Sequence, residues 1–347
     1  MRIVDQRVGP YERVVWAADD ASGLQVIVAV HSTVLGPAVG GCRFYNYPDQ
    51  ATAVIDCLRL AEGMTLKSTA AGLDIGGGKS VIIGDPATMK TPQLLAAFAT
   101  VLNRLDGMYY TAEDVGTTTA DMNLLRETTP YALGIDRAHG GAGDPSPYTS
   151  RGVVSAMRAA WAATSTSDGL RGARVVVQGT GKVGAGVARL CAAAGADVTI
   201  SDIHAERVAT LAAELGCSVV ATDDALTTEC DILAPCAMGG VLTPLTVPLL
   251  RCKLVCGAAN NMLSSPDAAK LLHERGIDYV PDFIANAGGI IAIADEMDGF
   301  DPDRTMARAE GIGEIVATVI SEATRTGESA LRVAERMAAR RLADAAG

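Results

Sequence analysis

VVVQGTGKVGAGVARL, residues 175–190, reads as a strand, a tight turn and the start of a helix. Gly179, Gly181 and Gly184 have the spacing G-x-G-x-x-G. Each glycine has a job at that spacing: the first permits the turn, the second lets a pyrophosphate reach the backbone, and the third lets helix and strand pack closely. The free N–H groups of the following helix would face the phosphates. Asp202 ends the next apolar run, 23 positions after Gly179. A carboxylate there accepts hydrogen bonds from ribose hydroxyls and repels a 2′-phosphate, so NAD is the expected cofactor rather than NADP. The expected contacts are Gly179, Thr180, Gly181, Lys182, Val183, Gly184 and Asp202. A ligand-free glycine turn is the alternative, and the strand, helix, second strand and acid in register weigh against it.

Downstream, strands and helices alternate. Strands are expected at 174–178, 197–201, 217–220, 231–234, 253–256 and 278–280, and helices at 182–194 and 205–215. Apolar strands alternating with helices predict a parallel sheet covered on both faces. Upstream, residues 14–17 and 24–31 around Asp19-Asp20-Ala21-Ser22-Gly23 predict a β-hairpin. Residues 51–64 and 94–105 have helical periodicity, and GGGKSVIIG reads as a glycine loop entering an apolar strand. Between the halves, GIDRAHGGAGDPSPYTS (134–150) is rich in Gly, Pro, Asp and Ser and marks a domain boundary. From Asp303 onward the chain is Ala-, Arg- and Glu-rich and helical.

The chain has 347 residues, 49% hydrophobic and 20% charged, which fits two globular domains. Its net charge of −11 disfavours a nucleic-acid partner. The basic run around Arg336, Arg340 and Arg341 reads as a solvated helix face. The eight cysteines are scattered in mostly apolar runs and are expected as reduced thiols. The histidines are isolated, and no metal site is expected. MRIVDQRVGPYER carries charges where a leader would be apolar, and no apolar run is long enough for a membrane span, so a cytoplasmic location is expected.

Two lysines sit in an unusual setting, MTLKSTAAGLDIGGGKSVIIG. Lys67 and Lys79 are twelve apart among small and apolar residues. Buried near another cation, a lysine loses affinity for its proton and becomes a usable general base. Two solvated lysines at a loop edge are the bland alternative. Asp114, in YYTAEDVGTTTADM, follows an apolar strand. It could equally be a turn residue, and Glu113 competes for any role.

GPAVGGCRFY, EGMTLKSTAAGLDIGGGKSVIIGDP, TAEDVGTT, GGAGDPSP, the glycine fingerprint, DILAPCAMGG, GAANN and PDFIANAGG occur in order. Together they resemble the leucine/valine/phenylalanine dehydrogenases, related to glutamate dehydrogenase, over nearly the whole chain, with the valine enzymes nearest. The resemblance implies an α/β fold of two domains with a cleft between them. Residues 1–147, rejoined by helices 323–347, would bind substrate and oligomerise; residues 148–322 would form a Rossmann-like NAD domain. It implies NAD-dependent oxidative deamination of an apolar L-amino acid by a homo-oligomer. Lys67 would hold the substrate carboxylate. Lys79 would activate water as general base, and Asp114 would exchange protons with the substrate nitrogen. Gly40 or Gly41 would offer a carbonyl to the amino group. Asn261 would contact the carboxylate and lie at the cofactor, and Ala234, Cys236 and Ala237 would lie beside the nicotinamide.

The implied side-chain pocket is Val39, Ala112, Ile290 and Ile293. None could pair with a glutamate side chain, which would lose hydration on entering. Two isoleucines leave less room for a ring, so valine or leucine is expected ahead of phenylalanine, tryptophan or a specialised-pathway amino acid. Leu66 and Arg151 stand where tyrosines are common in the family and loosen the substrate assignment. A non-catalytic NAD-binding sensor is the rival class; it predicts loss of Lys79 or Asp114, and both are present.

Overall fold

A computed structural model describes residues 1–165 and 169–347. They form two compact units, Met1–Asp144 with Ala292–Pro302 and Ala338–Gly347, and Pro145–Ile291 with Asp303–Met337.

The first unit is built on six strands: β1 (Arg2–Val8), β2 (Tyr11–Asp19), β3 (Leu24–Ser32), β4 (Ala38–Tyr45), β5 (Gly76–Ile83) and β6 (Tyr109–Glu113). Their order is β1-β2-β3-β5-β4-β6. The β1–β2, β2–β3 and β3–β5 pairs are antiparallel, and β5–β4 and β4–β6 are parallel. The expected hairpin is β2–β3. Alternation along β3 supplies both faces of the sheet. Val26, Val28 and Val30 join Leu94, Phe98 and Leu102, whereas Ile27 and Ala29 join Ala53, Cys57 and Ala61. Helix α1 (Gln50–Ala70) provides the second set, and helix α2 (Pro92–Arg104) the first. Side chains two apart on a strand share a face, so each helix buries one stripe against one face.

Two expectations need correction here. Helix α1 does not stop at residue 64 but runs to Ala70, because its last turns bury Thr65, Ser68 and Thr69 rather than aliphatic residues. The apolar period ends where small polar residues must face glycines. Gly76–Gly78, expected as a loop, belong to β5. A Cβ on Gly77 would lie 2.0 Å from the Thr65 nitrogen, so α1 presses directly on the strand. Glycine here makes room for a helix.

The second unit has a wholly parallel sheet. Its strands are β7 (Arg174–Gln178), β8 (Asp197–Ser201), β9 (Ser218–Val219), β10 (Ile232–Pro235), β11 (Leu254–Val255) and β12 (Asp278–Tyr279). The order is β12-β11-β10-β7-β8-β9, so the strand sequence reverses between β7 and β10. Ligands of open α/β sheets bind at the carboxyl end of such a reversal. Helices α3 (Ser146–Thr164), α4 (Lys182–Ala193) and α5 (Ile312–Thr326) belong to this unit. The return to the first unit was expected at residue 323; the chain instead rejoins it at Ala292–Pro302 and again from Ala338, and Asp303–Met337 stay with the second. The reason is the contact of α5 with α3. Gly152 faces the Ile312 Cδ1 methyl, and Ser155 Oγ donates to the Glu310 carbonyl.

The C-terminal basic run is only partly a solvated face. Arg340 and its Asp344 partner are exposed. Arg341 instead donates to the carbonyls of Thr69 and Leu73, at 3.0 and 2.8 Å, and so closes the end of α1. All eight cysteines are free. Among the described residues no helix is long and apolar enough to cross a membrane, and no His/Cys/Asp/Glu group could hold a metal.

Candidate active site

In the first unit, neighbouring parallel strands bring together residues that are distant in sequence. β4 supplies Gly40 and Gly41, β5 supplies Lys79, and Asp114 follows the end of β6. Lys79 is 3% exposed and its Nζ contacts Asp114 Oδ2. Burial and the nearby Arg43 cation bring Lys79 down from 10.5 to about 7, against the opposing pull of the Asp56 carboxylate. At neutral pH an amine with that affinity is available in both protonation states, as a proton-transfer group requires.

The turn after β6 fixes the carboxylate. The Asp114 N–H donates to Thr117 Oγ1 at 2.9 Å, and that hydroxyl donates to the Cys42 carbonyl at 2.8 Å. The Val115 N–H donates to Asp114 Oδ1 at 2.5 Å. The competing Glu113 turns elsewhere and accepts from Thr119 Oγ1. Gly41 lies directly against Asp114: a Cβ there would stand 2.8 Å from Asp114 Cβ and 3.1 Å from its Oδ2. The Gly40 carbonyl accepts from the buried Tyr109 hydroxyl at 2.7 Å.

Lys67 sits in the last turn of α1 and is partly exposed. Val39 and Ala112 are buried, and Ala112 pairs with Gly41 in the β4–β6 register. Ile293 belongs to the first unit and Ile290 to the second.

In the second unit the glycine loop joins β7 to α4. Gly179 has φ +99°, which a side chain would resist. A Cβ on Gly184 would lie 2.0 Å from the Gly179 carbonyl oxygen, so helix and turn touch backbone to backbone. Nothing lies within 4 Å of the Cβ position of Gly181, which leaves the approach needed by a phosphate. Asp202 Oδ2 accepts from the Thr180 N–H at 2.6 Å and its hydroxyl at 3.1 Å, and Oδ1 accepts from the His204 N–H at 2.9 Å. Burial alone would push this carboxyl up; the Thr180 and His204 donors outweigh it and hold the group below its usual range. A carboxylate accepts about four hydrogen bonds, so Asp202 keeps capacity for a ribose hydroxyl while it fastens the loop.

The carboxyl end of β10 is adjacent. The Cys236 N–H donates to the Gln178 carbonyl at 2.7 Å, and a Cβ on Gly179 would meet Ala237 at 2.8 Å. Ala234, Cys236 and Ala237 thus border the glycine loop, with Lys182 and Val183 opening the helix. Asn261, at φ +50°, offers its carbonyl to the Gly240 N–H at 2.7 Å, joining the two loops beyond β10 and β11. These residues fit a dinucleotide: an open backbone cradle, a helix N-terminus and an ionised acid.

Three residues escaped the sequence reading. Arg43 stands beside Asp114, and Tyr109 holds Gly40. Asn286 Nδ2 donates to the Ala258 carbonyl and to Asn260 Oδ1, at 3.2 and 2.9 Å, while its buried Oδ1 has no partner among the described residues. Asn286 lies in the quoted PDFIANAGG, yet only the fold reveals that it braces GAANN.

Residues 12–131 match the Glu/Leu/Phe/Val dehydrogenase dimerisation domain, and residues 140–346 the Glutamate/Leucine/Phenylalanine/Valine dehydrogenase domain. The chain is 42% identical over 332 residues to leucine dehydrogenase of Bacillus subtilis, covering 96% of this chain and 91% of that enzyme. It is 46% identical over 341 residues to valine dehydrogenase of Streptomyces albus, covering 97% and 93%. The solved structure of L-tryptophan dehydrogenase from Nostoc punctiforme superposes with a TM-score of 0.87 at 33% identity, covering 97% of both chains. Motif order, fold and these likenesses agree: the chain belongs to the Glu/Leu/Phe/Val dehydrogenase family.

Proposed function

We propose that this protein is an NAD-dependent L-amino-acid dehydrogenase that reversibly converts an apolar amino acid to its 2-oxo acid and ammonia, with valine or leucine preferred. The observation that carries the chemistry is the contact of buried Lys79, its proton affinity near neutrality, with the partly exposed Asp114. NAD⁺, held by the Gly179–Gly184 loop and Asp202, supplies the hydride acceptor. Lys67 holds the substrate carboxylate, and Asn261 orients it. Asp114 takes up and returns the proton of the substrate nitrogen, and neutral Lys79 removes a proton from the attacking water. Gly41, which lies against Asp114, offers its carbonyl to the amino group.

Val39, Ala112, Ile290 and Ile293 line the side-chain pocket in this reading and favour a branched aliphatic group. The tryptophan enzyme of similar fold makes an aromatic substrate the specific rival. A family pocket differing by one methylene discriminates by only about 1–3 kcal/mol, so the substrates must be compared directly. NADH formation at 340 nm with valine, leucine, phenylalanine and tryptophan is expected to give the highest kcat/KM for valine or leucine. An aromatic winner would overturn the pocket assignment; no turnover with any of them would favour a sensor.

The pH profile is a second expected result. Lys79 must be neutral to act, and its proton is released near pH 7. The kcat/KM for deamination therefore rises with pH through a limb near 7. A limb at an ordinary lysine value would remove Lys79 from the base role.

The first unit would form the oligomer contacts and bind substrate, and the second would bind NAD. A homo-oligomer accords with the dimerisation-domain match. Eight free cysteines accord with a reducing cytoplasm.

A further inference from the structure

Arg43 sits on β4 between two carboxylates. Its Nη1 donates to Asp56 Oδ2 at 2.8 Å, and its Nε lies 3.5 Å from Asp114 Oδ1. Asp56, on α1, is itself held by the Tyr47 hydroxyl at 2.6 Å and Arg59 at 3.0 Å. The guanidinium is thus anchored at one end. At the other, Arg43 Nε is buried and has no hydrogen-bond acceptor among the described residues. A buried donor left without an acceptor is costly, and the nearest carboxylate is turned toward Lys79 instead.

Asp114 has two claims on it in the reaction proposed above. It must release Lys79 when that amine acts on water, and it must face the substrate nitrogen. A carboxylate that leaves one cation in a buried site needs another. We propose that Arg43 is the positioning residue that receives Asp114 as it turns from Lys79, closing the vacant Nε–H on Oδ1, with α1 fixing the guanidinium through Asp56. This inference rests on the reading of Lys79 and Asp114 as the proton-transfer pair. The Val115 N–H holds Oδ1 at 2.5 Å on the Arg43 side, so Oδ2 can leave Lys79 while Oδ1 has only the 3.5 Å gap to Nε to close.

The charges around Lys79 come from three elements. Arg43 and Cys42 lie on β4, Asp56 and Cys57 on α1, and Tyr109 and Asp114 on or just after β6. Burial pushes both thiols up to about 12, so they are neutral at working pH. Arg43 lowers the proton affinity of Lys79 and Asp56 raises it. Removing one or the other must therefore move Lys79 in opposite directions, although both changes disturb the same anchor.

That opposition is the test. The full-length enzyme with NAD is labelled with acetic anhydride across a pH series, and the Lys79 peptide is quantified by mass; the labelling midpoint reports Lys79 independently of turnover. Arg43→Gln is expected to lower kcat by about 100-fold, the cost of a misplaced reacting group, with KM for NAD within about twofold. Its Lys79 midpoint moves to higher pH. Asp56→Asn lowers kcat less and moves the midpoint to lower pH. Arg43→Lys keeps the charge but not the fork, so the midpoint returns toward wild type while kcat does not. A kcat loss with an unmoved midpoint would mark Arg43 as merely structural and overturn the proposal, as would wild-type kcat in Arg43→Gln. If Arg43→Gln does not fold, Asp56→Asn decides by the direction of its midpoint. Failure of the base reading looks different: Lys79→Ala would turn over normally while the Arg43 and Asp56 midpoints still moved apart.

Discussion

Lys79→Ala is expected to lower kcat/KM for deamination by about 10⁴-fold, the upper range of what one acid–base group contributes, while NAD affinity stays within about twofold. The split follows from position. Lys79 is on β5 of the first unit, whereas the glycine loop and Asp202 belong to the second. The loss corresponds to about 5.5 kcal/mol of barrier, and a surface lysine would cost almost none. Lys79→Met retains the side-chain volume and should be as inactive, which excludes a cavity as the cause. Turnover near wild type in both variants would refute the assignment. The same substitution has a signature in stability. Native Lys79 releases its proton near 7, and an unfolded lysine near 10.5. Between those values the unfolded chain binds more protons, so this group makes native stability rise with pH across the window. In Lys79→Met that part of the rise disappears, which urea titrations between pH 7 and 10 would detect.

The second unit was legible because its signals are local. The spacing of Gly179, Gly181 and Gly184 encodes a turn, a phosphate approach and a helix contact within six residues, and Asp202 follows one strand later. The first unit was harder, for a physical reason. Gly76–Gly78 have the composition of a loop, and glycine is a poor strand former. They pair as a strand with β3 and β4, and they are glycines because the Ser32 and Gly36 carbonyls, Thr65 of α1 and Tyr109 occupy the space that side chains would need. Lys79 and Asp114 are 35 residues apart, and no spacing rule connects them; only motif order proposed the pair before the sheet joined them. Arg43 was hidden for the same reason. An arginine in a strand ordinarily marks a solvent-facing position, and nothing adjacent to it announces Asp56 or Asp114.

Gly40→Ala is expected to remove the folded first unit, a loss of more than about 4 kcal/mol, beyond ordinary overpacking. The added methyl would stand 1.8 Å from the Gly78 carbonyl oxygen and 2.7 Å from its carbon. Both partners are backbone, so no rotamer can yield. Relief requires β4 and β5 to separate, and these strands hold the parallel pairing from Ala38 opposite Gly76 to Tyr45 opposite Ile83. Separation would also take the Gly40 carbonyl from the Tyr109 hydroxyl, which is buried and would be left with Ser80 as its remaining partner at 3.1 Å. A typical domain has only about 5–15 kcal/mol in reserve, so soluble expression should fall sharply and any recovered protein should melt more than about 10 °C below wild type. A soluble Gly40→Ala protein melting within a few degrees of wild type would show that the strands have slack. The close approach has a chemical consequence. It sets Lys79, the residue after Gly78, at a depth where burial lowers its proton affinity, so the glycines that read as a loop are what seats the lysine proposed as base inside the sheet.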